Sequence, residues 1–578
     1  MTTVLPVEEP SAKYIVQEQR ALVRGLELLT TAGGGVAKLR DFVLALAVRG
    51  RLVQQLHGEI PIASLVQRTQ VNPPNDGGHR LRKMRGTDED FGDRITFKPP
   101  QGWKWVSLSE VTHDWGQKTP SSSFTYIDVS SVDNERGVIA DHPQVIDRAA
   151  APSRARKIVK RGTVIFSTVR PYLKNIAIVD SDYQPEPIAS TAFAILHPTE
   201  VLDPRYLTYW LRSDVFTAFV ASKAVGVAYP AINDRNFFEG LIALPPLGEQ
   251  HRIVARVEEL MKLCDALEQN GRLADEQHAR LTSTLFGALA ASESAHALAE
   301  NWQRVAEHFD LLLDRPGAID ALEQTILELA ARGLLVQQDP ADEPATALLR
   351  RIAAERRRLL GRRAKDGSLL GREDQLAPFP LPDGWTWAPW DSVALQIGDI
   401  DHKMPREAAD GIPYVSPKDF TDGNGIDFAR AKKISEVDFE ELASKIRPER
   451  GDLIYPRYGT IGKVRLVETD QFFLASYSCA VIKCMSCLVD PKYQFFVSIS
   501  ALIADQAAAA TNKTTQPNVG LKSIKSFLFP LPPLTEQHRI VARVEELRGI
   551  CAQLRERLTA ARRTQSQLAD ALVVQAVG

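Results

Sequence analysis

From Leu534 to the end the chain contains no proline, and apolar residues recur at Ile540, Val544, Leu547, Cys551, Leu554 and Leu558 in alternating steps of four and three. Earlier, Ile253, Val257, Leu260, Cys264 and Leu267 keep the same steps, and no proline follows Pro246 until Pro316. The pattern predicts two long helices, each with a heptad seam. The pairs Pro245–Pro246 and Pro532–Pro533 stand just before them, where proline is tolerated. A seam needs something to pack on. Either the two helices pair with each other, or each lies as an amphipathic helix on its own domain. Pairing of the two is the expectation, because near-identical sequences suit one shared partner surface.

The helices open on almost the same words: "LPPLGEQHRIVARVEEL" from Leu244 and "LPPLTEQHRIVARVEEL" from Leu531, differing only at Gly248 against Thr535. Other pairs keep nearly the same offset, which marks an internal duplication. "LRDFVLALAVRGRLVQQ" from Leu39 resembles "LEQTILELAARGLLVQQ" from Leu322, and "QGWKWVSLSEV" from Gln101 resembles "DGWTWAPWDSV" from Asp383. "RGTVIFSTVRPYLKN" from Arg161 aligns with "RGDLIYPRYGTIGKV" from Arg450, and "DPRYL" at Asp203 with "DPKYQ" at Asp490. Each half therefore reads as helical segment, Gly-Trp opening, mixed region, Leu-Pro-Pro exit and long helix.

The mixed regions, residues 100–243 and 383–530, differ in kind. Short β-rich runs such as "GTVIFSTV", "NIAIV", "FAIL", "DLIYPRY" and "KVRLV" are broken by Gly, Pro, Asp and Asn. They predict two α+β domains on twisted sheets, with helices such as "YLTYWLRSDVFTAFVASKAV". "ATALLRRIAAERRRLLGRR" from Ala345 to Arg363 predicts a basic helix, either a solvated face or a phosphate or partner contact.

Composition narrows the classes. With 578 residues the chain needs about three or four units, each with a core. A net charge of −2 argues against a uniformly basic nucleic-acid protein and leaves room for local patches. Five cysteines exclude a disulfide scaffold and suit a reducing compartment. Cys479, Cys484 and Cys487 in "SCAVIKCMSC" lack an evident fourth ligand, so a buried strand is expected there rather than a metal site. "MTTVLPVEEPSAK" has neither a basic nor an apolar signal region, and no run is long enough to span a bilayer. A cytoplasmic location, without membrane contact, is expected.

Two diverged inserts in one repeated frame suggest a reader of two different things at a fixed spacing. In the first insert Arg154, Arg156, Lys157, Lys160, Arg161, Arg170 and Lys174 fall in one stretch without an acidic residue, together with Thr168 and Tyr172. The second has Lys445, Arg447, Arg450, Arg457, Tyr458, Thr460, Lys463 and Arg465, with only Glu449 and Asp452 among them. Cations interleaved with Thr and Tyr suit phosphate contacts and base-edge hydrogen bonds; a solvated charged strand is the alternative. Arg154, Arg156, Lys157 and Lys160, before the strand "GTVIFSTV", are expected on phosphates. Arg170, Tyr172 and Lys174 follow that strand, where a loop can enter the major groove, and Arg457, Tyr458 and Lys463 hold the comparable place. Polar loops precede each exit, with Tyr229 and Asn233 in "SKAVGVAYPAIND" and Lys513, Thr515, Gln516 and Asn518 in "NKTTQPNVGLKS". Gln and Asn there suit adenine.

Searches for catalytic motifs are empty. "GTIGK" at Gly459 is too short for a phosphate-binding loop and no Ser or Thr follows its lysine. "NPPN" at Asn72 lacks the aromatic of the adenine-methyltransferase motif, and "AGGGVA" at Ala32 reads as a loop. No nucleophile elbow or His-Glu-x-x-His is present.

The paired "PPL(x)EQHRIVARVEEL" helices, the Gly-Trp openings and "ILELAARGLLVQQDPADEPATALLRRIAAE" from Ile326 resemble the specificity subunits of type I DNA restriction-modification systems. "ENWQRVAEHFDLLL" from Glu300 is similar to the central region of the type IB branch. The resemblance covers nearly the whole chain and departs from the family mainly at Gly58–Asp93, which is shorter and less helical than its counterpart. It implies an N-terminal helical region and linker at 1–98, target-recognition domains at 99–246 and 379–533, a central helical region at 247–378 and a C-terminal helix at 534–578. It further implies a pseudo-two-fold repeat whose long helices pair as an antiparallel coiled coil, with Ile253, Val257, Leu260, Leu267, Ile540, Val544, Leu547, Leu554 and Leu558 in the seam. Double-stranded DNA is the implied ligand. The implied partners are two adenine-methyltransferase subunits using S-adenosylmethionine and two nuclease-translocase subunits using ATP and Mg2+. No cofactor and no catalysis are implied for this chain itself. The rival expectations are a stand-alone enzyme, opposed by the missing motifs, and a coiled-coil scaffold, opposed by the basic stretches.

Overall fold

A computed structural model describes residues 34–56, 58–71, 96–140, 143–226, 228–361, 377–400, 404–511 and 517–577. Lys513, Thr515, Gln516, "NPPN" and most of Gly58–Asp93 lie outside them. The chain divides into two units: the residues up to Leu273 with those from Arg562 onward, and Ala274–Ala561.

In the first unit the helix Gly35–Val48 ends in Arg-Gly, with Gly50 at φ 68°. A Cβ at Gly50 would lie 2.5 Å from Pro100 Cγ and 2.9 Å from Trp103 Cζ2. The glycine thus reverses the chain and lets the Gly-Trp segment press on the helix end. The strand Lys104–Ser107 then pairs antiparallel with Leu241–Leu244. The mixed domain therefore leaves the frame and returns to it through one two-stranded ribbon.

Between those strands lie two sheets. The larger runs in the order Thr112–His113, Phe193–Pro198, Val164–Ser167, Ile176–Ile178, Val138–Ile139, Val132–Asp133. The smaller runs Val145–Ile146, Phe124–Ile127, Pro187–Ser190, Ala155–Ile158, its middle pair parallel. The predicted helical stretch forms two helices, Pro204–Arg212 and Asp214–Lys223, hinged at Ser213. Asp203 caps the first by accepting from the amides of Arg205 and Tyr206. Tyr206 is buried and donates its hydroxyl to the Ala243 carbonyl at 2.7 Å.

The second unit repeats the plan. Gly333, at φ 72°, would carry a Cβ 2.5 Å from Pro382 Cγ and 2.9 Å from Trp385 Cζ2. Thr386–Pro389 pairs antiparallel with Leu528–Leu531. One sheet runs Gln396–Gly398, Cys479–Lys483, Leu453–Pro456, Arg465–Leu466, and the other Lys432–Ile434, Ile412–Val415, Leu474–Ala475. Asp490 caps Pro491–Ser498, and Tyr493 donates to the Pro530 carbonyl at 2.9 Å. Of "SCAVIKCMSC", Cys479–Lys483 forms the expected buried strand, inside its sheet, whereas Cys484 lies just beyond it and Cys487 is exposed in the following turn.

The doubled sentence has a local reason. Gln250 donates to the carbonyls of Val201 and Pro245 and accepts from the Asp203 amide. Gln537 donates to Pro532 and accepts from Asp490. Each buried glutamine thus ties the start of a long helix to the Asp-Pro helix of its own domain. Arg252 pairs with Glu59 at 2.7 Å, and Arg539 with Asp342 at 2.7 Å. The repeated residues are clamps that every copy of the frame needs.

The seam residues divide between the two units. Ile253, Val257 and Leu260 pack with Val43, Leu44, Ala47 and Val48 of the first unit. Ile540, Val544, Cys551, Leu547, Leu554 and Leu558 pack with Ile319, Leu322 and Ile326 of the second. The two sets belong to separate cores, each shared with the short helix of its own unit. Leu267 is 38 % exposed. The last turns of the C-terminal helix, Leu534–Val577, lie in the first unit, with Ala569 and Val573 against Leu39 and Lys38 within 2.7 Å of Asp570. The last turns of Leu247–Ala290 lie in the second, with Phe286 in the core beside Val305 and Leu312, and Asp275 paired to Arg315.

The basic helix spans Ala345–Leu360. Leu348 and Ile352 are buried, and Arg351, Arg356 and Arg358 pair with Glu343, Asp391 and Glu355. Much of its charge is answered within the fold.

Candidate nucleic-acid interface

Valine, isoleucine and phenylalanine bury the strand Val164–Ser167 on both faces, so it holds its end rigidly. Thr168, at that end, is buried, and both its amide and its hydroxyl donate to the Ala192 carbonyl. Its expected place on DNA is thereby corrected to a pin. Val169 then bridges to Ala231, and the Arg170 amide donates to the Pro230 carbonyl at 2.8 Å. The turn Pro171–Leu173 follows, and Lys174 donates to the Arg212 carbonyl. Across from it, Val225 and Ala231 pair through two backbone hydrogen bonds, closing a tight hairpin whose tip carries Tyr229. Gly226 sits at φ 114°, where a Cβ would be 2.8 Å from the Tyr229 carbonyl oxygen.

The two segments singled out in the first insert, the strand-exit loop and the polar loop before the closing strand, thus form one surface. Tyr172 is 58 % exposed, Tyr229 68 % and Val225 77 %. The Arg170 guanidinium lies 4.4 Å from the centre of the Tyr229 ring. Asn233 is exposed and caps the helix Asp234–Phe238, its Oδ1 accepting from the Asn236 amide at 2.8 Å.

The second domain brings its two segments together in the same way. Tyr458 bridges to Asn518, the Val519 amide donates to the Arg457 carbonyl, and the Gly459 amide donates to Pro517. Thr460 and Lys463 are exposed beyond that bridge. Arg457 is not among the outward residues. It is 7 % exposed, paired with Asp399, and its Nε donates to the Val519 carbonyl. Its expected approach to the groove is corrected to a brace for the loop.

The cations before each strand divide by burial. Lys157 is 7 % exposed and its ammonium is 2.8 Å from Asp234. A buried, paired ammonium is not available to a phosphate, so that expectation is also corrected. Arg156 donates to the Ala155 carbonyl, Lys160 lies 3.6 Å over the Trp115 ring, and Arg161 is 3.6 Å from Asp182. Arg154 is exposed. In the second domain Lys445 is exposed and Arg447 is 3.0 Å from Glu449. Asp234, Asp399 and Trp115, the partners that decide these roles, carry no periodic signal. They meet their cations only through the sheets.

No group of three or more His, Cys, Asp or Glu placed to hold a metal occurs among the described residues, and none of their helices is long and apolar enough to cross a membrane. The fold thus holds two α+β domains, each inserted through a two-stranded ribbon and each bringing two distant loop segments together. Residues 100–275 and 393–561 match the family described as the type I restriction modification DNA specificity domain. The two matches cover more than half of the chain, which therefore belongs to that family. It is 29 % identical to the type I restriction enzyme EcoAI specificity subunit of Escherichia coli, over 98 % of this chain and 99 % of that one. It is likewise 29 % identical to the EcoEI specificity subunit of Escherichia coli, over 93 % of each. Among solved structures, the S subunit HsdS from Thermoanaerobacter tengcongensis is 24 % identical, with a TM-score of 0.37 over 82 % of this chain and 97 % of that one. A chain from a type I restriction-modification assembly is 24 % identical, with a TM-score of 0.48 over 83 % of this chain and 99 % of that one. The chain is a DNA-specificity subunit, and its task is recognition rather than catalysis.

Proposed function

We propose that the domains at 99–246 and 379–533 each read one half of an interrupted duplex DNA target. The observation that carries this reading is the meeting, in each domain, of two segments distant in sequence as one bridged loop surface, Val169 with Ala231 and Tyr458 with Asn518. Phosphate contacts from exposed cations such as Arg154 and Lys445 position the protein, and the loop residues read base edges. In this reading the long helices pair antiparallel about a pseudo-two-fold axis. They hold the half-sites about one DNA turn, roughly 34 Å, apart. At 1.5 Å per residue, a helix stretch of about 30 residues spans roughly 45 Å, enough for that task. The doubled frame offers matching surfaces to two methyltransferase subunits, which bring S-adenosylmethionine, and to two nuclease-translocase subunits, which bring ATP and Mg2+. The assembly works in the cytoplasm.

The test is domain exchange. Because opening and closing strands form one ribbon, residues 100–243 can be replaced by the matching domain of a relative with both ends kept. Mapping methylated adenines in cells carrying the hybrid system is expected to show one changed half-site and one unchanged. Change in both halves, or in neither, would overturn the two-reader model.

A further inference from the structure

We propose that Tyr229 is a positioning residue for specificity: its ring seats the Arg170 guanidinium for a two-pronged hydrogen bond to a guanine edge in the first half-site. This rests on the reading of the first domain as a DNA reader and adds which residue sets its arginine.

The backbone at Arg170 is unusual. Among the described residues only Arg170 and Lys174 are non-glycines at positive φ, at 48° and 51°. A side chain there is strained and persists only where the surroundings impose it. Here they do: the Thr168 pin precedes Arg170, Pro171 follows it, and its amide is tied to Pro230. The strain turns the side chain back across the loop onto the hairpin that carries Tyr229.

The guanidinium also lacks a carboxylate partner among the described residues. Several cations of the same pattern are paired with carboxylates: Lys157 with Asp234, Arg161 with Asp182, Arg457 with Asp399. Arg170 makes no ion pair with a described residue, and its Nε is buried without a hydrogen-bond partner. It rests on the ring face, where a cation is held without spending its terminal donors. Those donors match the O6 and N7 acceptors of guanine. Tyr229 itself is mostly exposed, so its ring is not there to fill a core. The second domain, with Arg457 locked inward, reads its half-site by other residues.

The test uses the whole chain with its methyltransferase subunits, methylation mapping in cells and competition binding in vitro. Arg170→Ala is expected to relax one base pair of the first half-site, lowering its discrimination about 5- to 150-fold. Tyr229→Ala is expected to relax the same base pair by about 2- to 5-fold. Tyr229→Phe, which keeps the ring, is expected to restore it, and the second half-site stays unchanged throughout. Should Tyr229→Ala fail to assemble, Tyr229→Leu removes the ring with the apolar bulk kept and gives the same readout. If Arg170→Ala relaxes a position that Tyr229→Ala and Tyr229→Leu leave intact, or if Tyr229→Phe relaxes it too, the positioning role is overturned while the reading stands. If neither Arg170 nor Tyr229 variants alter the first half-site in active complexes, this loop is not the reader.

Discussion

Glu536 accepts the indole N–H of Trp385 at 3.0 Å across 151 residues of sequence, and its other oxygen accepts from Gln338 at 3.2 Å. Three repeated words of the frame, Gly-Trp, Val-Gln-Gln and Glu-Gln-His, meet at this one carboxylate. Burial pushes it above the ordinary glutamate value of 4.5, against the pull of those two donors. Glu249 is pushed up for the same reason, beside Trp103 and Gln55.

The sign of the pH effect follows. A carboxyl raised in the folded state holds its proton more tightly there than in the unfolded chain. Its contribution to stability therefore falls as pH rises from 4.5 through the folded value. Glu536→Gln keeps an oxygen for Trp385 and removes the titration. Urea unfolding from pH 4.5 to 8 is expected to show the variant gaining on the parent as pH rises. A constant difference would mean that Glu536 does not titrate abnormally.

Asp342 behaves oppositely, because Arg539 and Thr535 hold its carboxyl below the ordinary value of 3.8. Its stabilisation is present above that value and lost as pH falls through the folded one. Asp342→Asn is expected to lower stability at neutral pH and to converge with the parent in acid, in the same unfolding series.

Gly333→Ala places a methyl against Pro382 and Trp385 at a left-handed backbone. Strain and overpacking together predict a loss of about 2–4 kcal/mol, read as a lower denaturation midpoint. Gly50→Ala is expected to do the same. Gly271→Ala, in an open helical position, should leave stability unchanged or raise it slightly.

Lys157→Ala and Arg154→Ala separate burial from contact. Losing the Lys157–Asp234 pair is expected to cost about 1–2 kcal/mol of stability; Asp234 remains half-exposed to water. Arg154→Ala should leave stability alone, weaken specific and non-specific DNA alike, and reduce the salt dependence by about one counterion. Affinity at several salt concentrations, with the methyltransferase subunits bound, checks both. An unchanged salt slope for Arg154→Ala would remove it from the phosphate contacts.

Four residues inserted after Leu267 lengthen the helix by about 6 Å. The unspecified spacer of the target is expected to grow by one or two base pairs. Methylation mapping that finds active enzyme with an unchanged spacer would refute the ruler role.

The frame was legible in the sequence because its signals are local or repeated. Proline limits, heptad steps and paired phrases all act within a few residues or recur at one offset, and together they marked the long helices and the α+β inserts. Which core a heptad seam joins was not legible: Ile253 and Ile540 present the same apolar step, yet the first shares a core with Val43 and the second with Ile319. Nor was the fate of each cation. Arg170 and Arg457 follow equivalent strands in similar words, yet one rests on Tyr229 and the other is buried against Asp399. Desolvation and pairing depend on groups that are distant in sequence and adjacent only in the folded sheets, and a linear pattern does not encode that adjacency.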